Sequence, residues 1–536
     1  MRELFYGDNL DILRDKIADE SVDLCYIDPP FNSKRDYNQI YNNVAGEIDR
    51  AQARAFIDTW KWGDRAEKEL KEFLDIENVN KQKITKRTYY LIKGLIEVLG
   101  KGDIMAYLVA MTIRLIEIHR VLKPTGSFYL HCDPNASHYL KLILDSIFCS
   151  QDGDFKNEII WRRGHVSKHG SKISFPRNHD IIFLYCKNKK KQNKFYELPH
   201  RPYAEATLKL YKYDDNDGRG KYRLQELRDY GAETIEKMRQ ENKIVKNKNG
   251  KEKFKQYLLD KGGVRIDDVW EDINALEGNT IEALDLQTQK PEKLMERIIK
   301  TSSKEGDVVL DAFCGCGTTV AVAERLHRQW IGIDISYQQI SLIRKRLEDA
   351  CHNDEKWQAL QNNIKIDGIP TDMVSAIALA NKKDDRLRKE FEKWAILTYT
   401  NNRAIINDKK GADGGIDGEA YFYIEKATEG KAVFQVKSGK VGRKDIATFN
   451  NDRKKFGAEI GFFITLEPPT KPMFDEVQVA GKFIHPLFTD TPFNRIEIVT
   501  IEDILKDPNK RINLPMTKDV LKSAEASKKD QVELDV

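Results

Sequence analysis

Asp-Pro-Pro-Phe at residues 28 to 31 follows the apolar run VDLCYI at 22 to 27, and combines a carboxylate, two prolines and an aromatic face. The prolines fix φ and carry no N–H, so this loop accepts hydrogen bonds rather than donating them. A planar exocyclic amine has two hydrogens to give. Hydrogen bonds to the Asp28 carboxylate and the Pro29 carbonyl draw its nitrogen toward sp³ geometry and localise the lone pair for attack on an electrophilic methyl. Pro30 keeps the loop donor-free and Phe31 stacks on the ring. The site fits an aminated nucleobase, with no need for a metal or a covalent nucleophile. A strand-ending kink is the plainer use of these four residues, and the motif alone does not exclude it.

A second constellation lies about 280 residues further on. DVVLD ends in Asp311, FCGCG makes a Gly-x-Gly turn through Phe313, Gly315 and Gly317, and Thr318 opens the helical stretch TTVAVAERL. Asp334 ends the next strand, WIGID, 19 residues after Gly315, close to the spacing of a ribose-binding acid in nucleotide folds. The third glycine of a dinucleotide fingerprint is missing, which favours a nucleoside ligand without a pyrophosphate. Cys314 and Cys316 cannot by themselves fill a tetrahedral zinc site. In the last third, Asp417 begins one strand and Gln435-x-Lys437 ends another. Side by side, they bring together a carboxylate, an amide oxygen and an ammonium, a set that can hold a divalent metal and activate water for phosphodiester hydrolysis.

These residues need a scaffold. Strands and helices alternate from residue 20 to 150, resume at 306 to 336, and predict a layered α/β unit. In an open parallel sheet ligands gather at the carboxyl ends of the strands, so Asp28 and Asp311 can face one crevice. From 161 to 285 the chain is polar and basic, with KNKKKQNK at 187 to 194, a second lysine-rich run at 237 to 256, and tyrosines at 203, 211, 213, 222 and 230. This reads as an inserted module able to meet phosphates. Composition shifts again near 351 to 372, taken as a linker, and a small α/β domain is predicted over 373 to 516 with a frayed tail at 517 to 536.

The 536 residues are 40% apolar and 32% charged, with 89 basic against 85 acidic side chains for a net charge of +4. No apolar run reaches membrane-spanning length, and MRELFYGDNLDIL does not read as a signal peptide. Seven cysteines without paired CxxC spacing fit a reducing compartment, and a cytoplasmic location is expected.

The motifs FYGDNLDIL, SVDLCYIDPPFN, RVLKPTGSFYLHCD and LQTQKPEKLMERIIKTSSKEGDVVLDAFCGCGTTVAVAE fall in an order that resembles the S-adenosylmethionine-dependent amino-group DNA methyltransferases of the beta arrangement, over residues 1 to about 350. The resemblance implies a Rossmann-like class I methyltransferase domain from 1–160 and 286–350, with 161–285 as target-recognition module. It places Asp311, Phe313, Gly315 and Gly317, with Thr318 beside them, around the methionine part of the cofactor, Asp334 on the ribose, Asp8 near adenine and Lys290 near the methionine carboxylate. Ala312 and Cys316 stand where the family has proline and serine. Asp28 tilts the target to adenine N6, N4-cytosine being the alternative. A duplex base would have to be flipped, so double-stranded DNA is the implied partner.

GADGGIDG at 411 to 418, FQVK at 434 to 437 and GFFIT at 461 to 465 resemble the Mrr-type endonuclease domain of the PD-(D/E)xK superfamily. That resemblance implies a Mg²⁺-dependent nuclease with Asp417, Gln435 and Asp413 at the metal, Lys437 at the water and Glu392 as a further acid. The whole reads as a restriction-modification protein, the alternative being a methyltransferase with an inactive DNA-holding nuclease fold. Oligomeric state is left open, a homodimer being compatible.

Overall fold

A computed structural model describes residues 1–30, 62–75, 84–164, 175–176, 178–227, 230–247, 250–259, 262–276, 282, 284, 289–351, 353–381, 385–400, 404–407, 415–425, 428–486, 488–506, 512 and 514. Phe31, Asp413 and the tail at 517–536 lie outside them.

The chain opens with β1 (Arg2–Tyr6), α1 (Asn9–Lys16) and β2 (Val22–Ile27). Helix α2 (Asp103–Val121) is buried on nearly every face, as its continuous apolar sequence requires. It leads into β3 (Leu122–Cys132), β4 (Asp154–Arg162) and β5 (His179–Cys186). After the basic segment come α3 (Glu292–Ser302), β6 (Val308–Asp311), α4 (Thr318–Arg325), β7 (Gln329–Asp334), α5 (Tyr337–Cys351) and β8 (Lys365–Asp367). Within one sheet these strands run β4-β5-β3-β2-β6-β7-β1-β8. All neighbours from β3 to β8 are parallel, and β5 is antiparallel to both β3 and β4. The fold is thus a Rossmann-like sheet with an antiparallel edge, as the resemblance implies.

The order explains how distant motifs meet. β2 and β6 are neighbours, Leu24 beside Val309 and Cys25 beside Leu310, so their carboxyl ends carry Asp28 and Asp311 to one edge. β1 pairs in register with β7, Tyr6 opposite Asp334. The core beneath includes Leu24, Cys25, Ile27, Leu310, Ile331 and Ile333, all at most 2% exposed.

Two boundaries differ from the sequence expectation. β5, inside the span assigned to the insert, belongs to the main sheet, and the compact separate unit is Phe195–Trp270. An antiparallel strand lacks the strand-helix-strand rhythm that marks the rest, and the lysines after Cys186 hide its IIFLYC run. The expected linker likewise contributes β8, which pairs with β1 through Leu4 and Ile366.

Within Phe195–Trp270, Tyr222–Glu226, Ile244–Lys246 and Glu252–Tyr257 form a three-stranded antiparallel sheet. The tyrosines divide between interior and surface: Tyr211 is 3% and Tyr222 7% exposed, with Arg223 and Lys255 over their rings at 5.2 Å, while Tyr213 and Tyr230 are 40% and 38% exposed. A cavity of about 470 Å³ is lined by His200, Tyr203, Arg223, Gln256 and Arg265.

The C-terminal region begins with α6 (Asp385–Thr400). It continues through β9 (Gly418–Glu425), β10 (Thr428–Lys437), α7 (Arg443–Lys455), β11 (Ile460–Thr465) and β12 (Ile496–Thr500). With Ile405–Ile406 these strands make a five-stranded sheet in which β9 is antiparallel to β10, while β10, β11 and β12 are parallel. It has its own apolar core of Val433, Phe449, Phe463 and Ile496. Among the described residues no helix is long and apolar enough to cross a membrane.

Candidate active site

The tip of β6 is built around buried acids. Asp311 accepts from the Thr319 hydroxyl at 2.6 Å and from the Phe313 N–H at 3.0 Å. Burial pushes its carboxyl up to about 7, with Asp28 and Asp334 adding to the rise against these hydrogen bonds. Asp334 accepts from the N–H groups of Gly315 at 2.9 Å and Ser336 at 2.8 Å. Burial raises it to about 6. The turn between them takes left-handed φ at Gly315 (+48°) and Gly317 (+76°), which glycine adopts readily. A Cβ on Gly315 would meet no atom within 4 Å, so this backbone borders open space. A Cβ on Gly317 would lie 2.5 Å from Ile343 of α5, so that glycine serves packing. An open glycine turn between a buried acid and a ribose-type acid fits S-adenosylmethionine. Asp311, Phe313, Gly315 and Asp334 would hold it, and Thr318 lies behind the turn beside Arg346, 3.2 Å away.

Asp8, expected near adenine, caps α1 through the Leu10 N–H at 2.9 Å and accepts from buried Arg114 at 2.9 Å. Arg114 also donates to Asn9 at 2.6 Å, and Asn9 donates to the Ala312 carbonyl at 2.8 Å, tying the start of α1 to the cofactor turn. This arginine was missed, although an arginine inside the apolar run YLVAMTIRLIEI was its signal.

Asp28 and Pro29 lie where β2 ends. The Lys290 ammonium donates to Asp28 Oδ2 rather than only waiting for a methionine carboxylate. Behind it runs a polar chain: the Tyr26 hydroxyl meets His131 Nδ1 at 2.9 Å, and His131 Nε2 meets Asp180 Oδ2 at 3.3 Å. Burial raises the Asp180 carboxyl, but its bond to His131 and the nearby Lys290 and Arg163 charges leave it below the usual range. Tyr26 is held well above its usual range, first by burial and then by Asp28. The network escaped sequence reading because its members lie 105 and 49 residues apart.

In the C-terminal sheet, Asp417 adjoins β10 as the residue order requires. Its N–H donates to the Phe434 carbonyl at 2.8 Å and its Oδ2 accepts from the Val436 N–H at 2.8 Å. Gln435, buried, donates to the Gly415 carbonyl at 2.5 Å. Glu392 of α6 reaches the same place: burial and then Asp417 raise its carboxyl, against Lys389 and Lys437. Lys389, unforeseen from the sequence, sits 2.7 Å from Glu392 and 3.4 Å from Asp417. Two carboxylates converging on one cation suit a divalent ion, which Asp417 and Glu392 would hold with Gln435 beside them. Among the described residues no three acidic, imidazole or thiol groups gather into a metal cage.

Residues 22–345 match the N6_N4_Mtase family, described as DNA methylase. The chain belongs to the N6/N4 DNA methylase family. Residues 388–482 of this methylase match the Mrr_cat restriction endonuclease family, so the methylase is fused to a restriction-endonuclease domain. It is 30% identical over 266 residues to the type II methyltransferase M.EcaI of Enterobacter cloacae, covering 45% of this chain and 57% of that one. It is 25% identical over 351 residues to M.BamHI of Bacillus amyloliquefaciens, covering 65% and 57%. The chain thus spans just over half the length of these relatives. The M1.HpyAVI–SAM complex aligns with a TM-score of 0.32 at 14% identity, covering 65% of this chain and 99% of that one.

Proposed function

We propose that the methylase transfers a methyl group to the N6 of a flipped adenine in double-stranded DNA, and that its C-terminal domain is a Mg²⁺-dependent endonuclease of the same restriction-modification system, acting in the cytoplasm. The observation that supports methyl transfer is the adjacency of β2 and β6, whose carboxyl ends carry Asp28 and Asp311 to one edge of the sheet; the choice of adenine rests on the resemblance that Asp28 carries.

S-adenosylmethionine supplies an electrophilic methyl when bound. The chain's own residues do the rest. Asp28 Oδ1 and the Pro29 carbonyl accept the two amine hydrogens, which directs the nitrogen lone pair toward the cofactor turn. Lys290 anchors Asp28 Oδ2 and fixes the carboxylate plane. Phe31, outside the described residues, is the proposed stacking face. The buried chain from Tyr26 to Asp180 holds the strand tip rigid, since a satisfied polar network has few alternative arrangements. Base flipping costs a few kcal/mol of unstacking, which phosphate contacts by the basic module offset. Within that module the cavity holding Arg223, Gln256 and Arg265 has the donors and acceptors to read base edges.

Tritiated methyl transfer to duplex DNA tests this reading. Asp28→Ala is expected to lower incorporation at least a hundredfold. Incorporation equal to wild type would overturn it, and sequencing the modified bases distinguishes N6-adenine from N4-cytosine.

A further inference from the structure

Helix α6 presents two carboxylates, two residues apart, to two different sites. Successive helical residues turn by about 100°, so Glu390 and Glu392 point in nearly opposite directions. Glu392 faces Asp417 in the nuclease sheet. Glu390 instead reaches the methyltransferase. Its Oε2 accepts from the Tyr6 hydroxyl and from the Tyr337 backbone N–H, both at 3.2 Å. Its Oε1 pairs with Lys393 at 3.0 Å, and the side chain is only 12% exposed.

Both partners belong to the nucleoside end of the cofactor site. Tyr6 ends β1 opposite Asp334, and Tyr337 begins α5 three residues after Asp334. Their rings meet edge to face with centroids 6.0 Å apart. The Tyr337 hydroxyl reaches the Thr398 hydroxyl at 2.9 Å, two turns further along α6. The Glu390 charge is near enough to add to the rise of the Asp334 carboxyl. A mostly buried carboxylate is costly unless its oxygens are satisfied, and Glu390 is satisfied across the junction.

We propose that Glu390, supplied by the nuclease's first helix, is a positioning residue of the methyltransferase cofactor pocket. It clamps the ends of β1 and α5, and so sets the Asp334 turn in the geometry that receives the nucleoside. The cofactor pocket is thereby complete only with the nuclease helix docked. This rests on the assignment of the β6 and β7 tips to S-adenosylmethionine.

Calorimetric titration of full-length protein with S-adenosylmethionine and S-adenosylhomocysteine tests it. Wild type must bind; failure there overturns the cofactor assignment itself and not the role of Glu390. With wild type binding, Glu390→Gln is expected to raise Kd about tenfold for both ligands, and the cofactor KM with it, while kcat falls no more than about twofold. Glu390→Asp should recover part of the loss. Tyr6→Phe should weaken binding several-fold, and in the Glu390→Gln background it should add less than it does alone, because the two residues share one contact. Glu390→Gln binding within twofold of wild type, or fully additive losses in the double variant, would overturn the proposal. Should Glu390→Gln fail to fold, Tyr6→Phe decides, and wild-type affinity in that variant overturns it.

Discussion

Asp334 illustrates how one side chain serves two opposed demands. Its carboxyl titrates near 6 because burial disfavours the charge, yet a ribose hydroxyl needs the anion as acceptor. With Asp311 pushed up to about 7 in the same site, cofactor affinity should therefore be full only above about pH 8 and fall as pH drops through 7 and then 6. Stability runs the other way. An acid whose folded value lies above its unfolded one costs stability as pH rises from about 4 to 6, and no more beyond. Calorimetric Kd values between pH 5 and 8, set beside thermal melts of the cofactor-free protein, check both signs. A Kd flat across pH 6 would remove Asp334 from the site.

At the level of elements, the β6–α4 turn separates a ligand-facing glycine from a packing glycine. Gly317→Ala puts a methyl against Ile343 in a left-handed conformation, and is expected to destabilise the methyltransferase domain by about 2–4 kcal/mol. Gly315→Ala meets open space and should cost only about 1 kcal/mol of stability while weakening S-adenosylmethionine binding at least tenfold. Urea unfolding followed by tryptophan fluorescence, paired with cofactor titration, separates the two; equal stability losses would contradict the assignment. The same logic makes Arg114 structural. It holds Asp8 and Asn9, which fix the start of α1 against the cofactor turn.

For the molecule as a whole, α6 packs against both α5 of the methyltransferase and β10 of the restriction-endonuclease sheet. The proposed nuclease activity is expected to need Mg²⁺, with Asp417 and Glu392 relinquishing Lys389 for the ion. Lys437→Ala should reduce cleavage of unmethylated plasmid at least a hundredfold at saturating Mg²⁺, scored as linear and nicked product on gels. Cleavage persisting in that variant would place the water-activating group elsewhere.

The sequence by itself determined what local pattern and residue order can carry. VDLCYI is an apolar run followed by Asp28 and DVVLD one that ends in Asp311, the Gly-x-Gly turn has one sensible geometry, and Asp417, just before β9, and Gln435-x-Lys437 on β10 belong to neighbouring strands of a short α/β stretch. Those signals are legible because hydrophobic burial and backbone sterics act over a few residues. What tertiary structure alone decided are the contacts between elements far apart in the chain: Lys290 on Asp28, 262 residues away, Arg114 on Asp8, and Glu390 on Tyr6, 384 residues away. It also decided which tyrosines of the basic segment are interior, Tyr211 and Tyr222, and which face outward, Tyr213 and Tyr230. Lysine, arginine and glutamate side chains are long and have many rotamers, so their partners are chosen by the packing of elements and leave no periodic trace in the sequence.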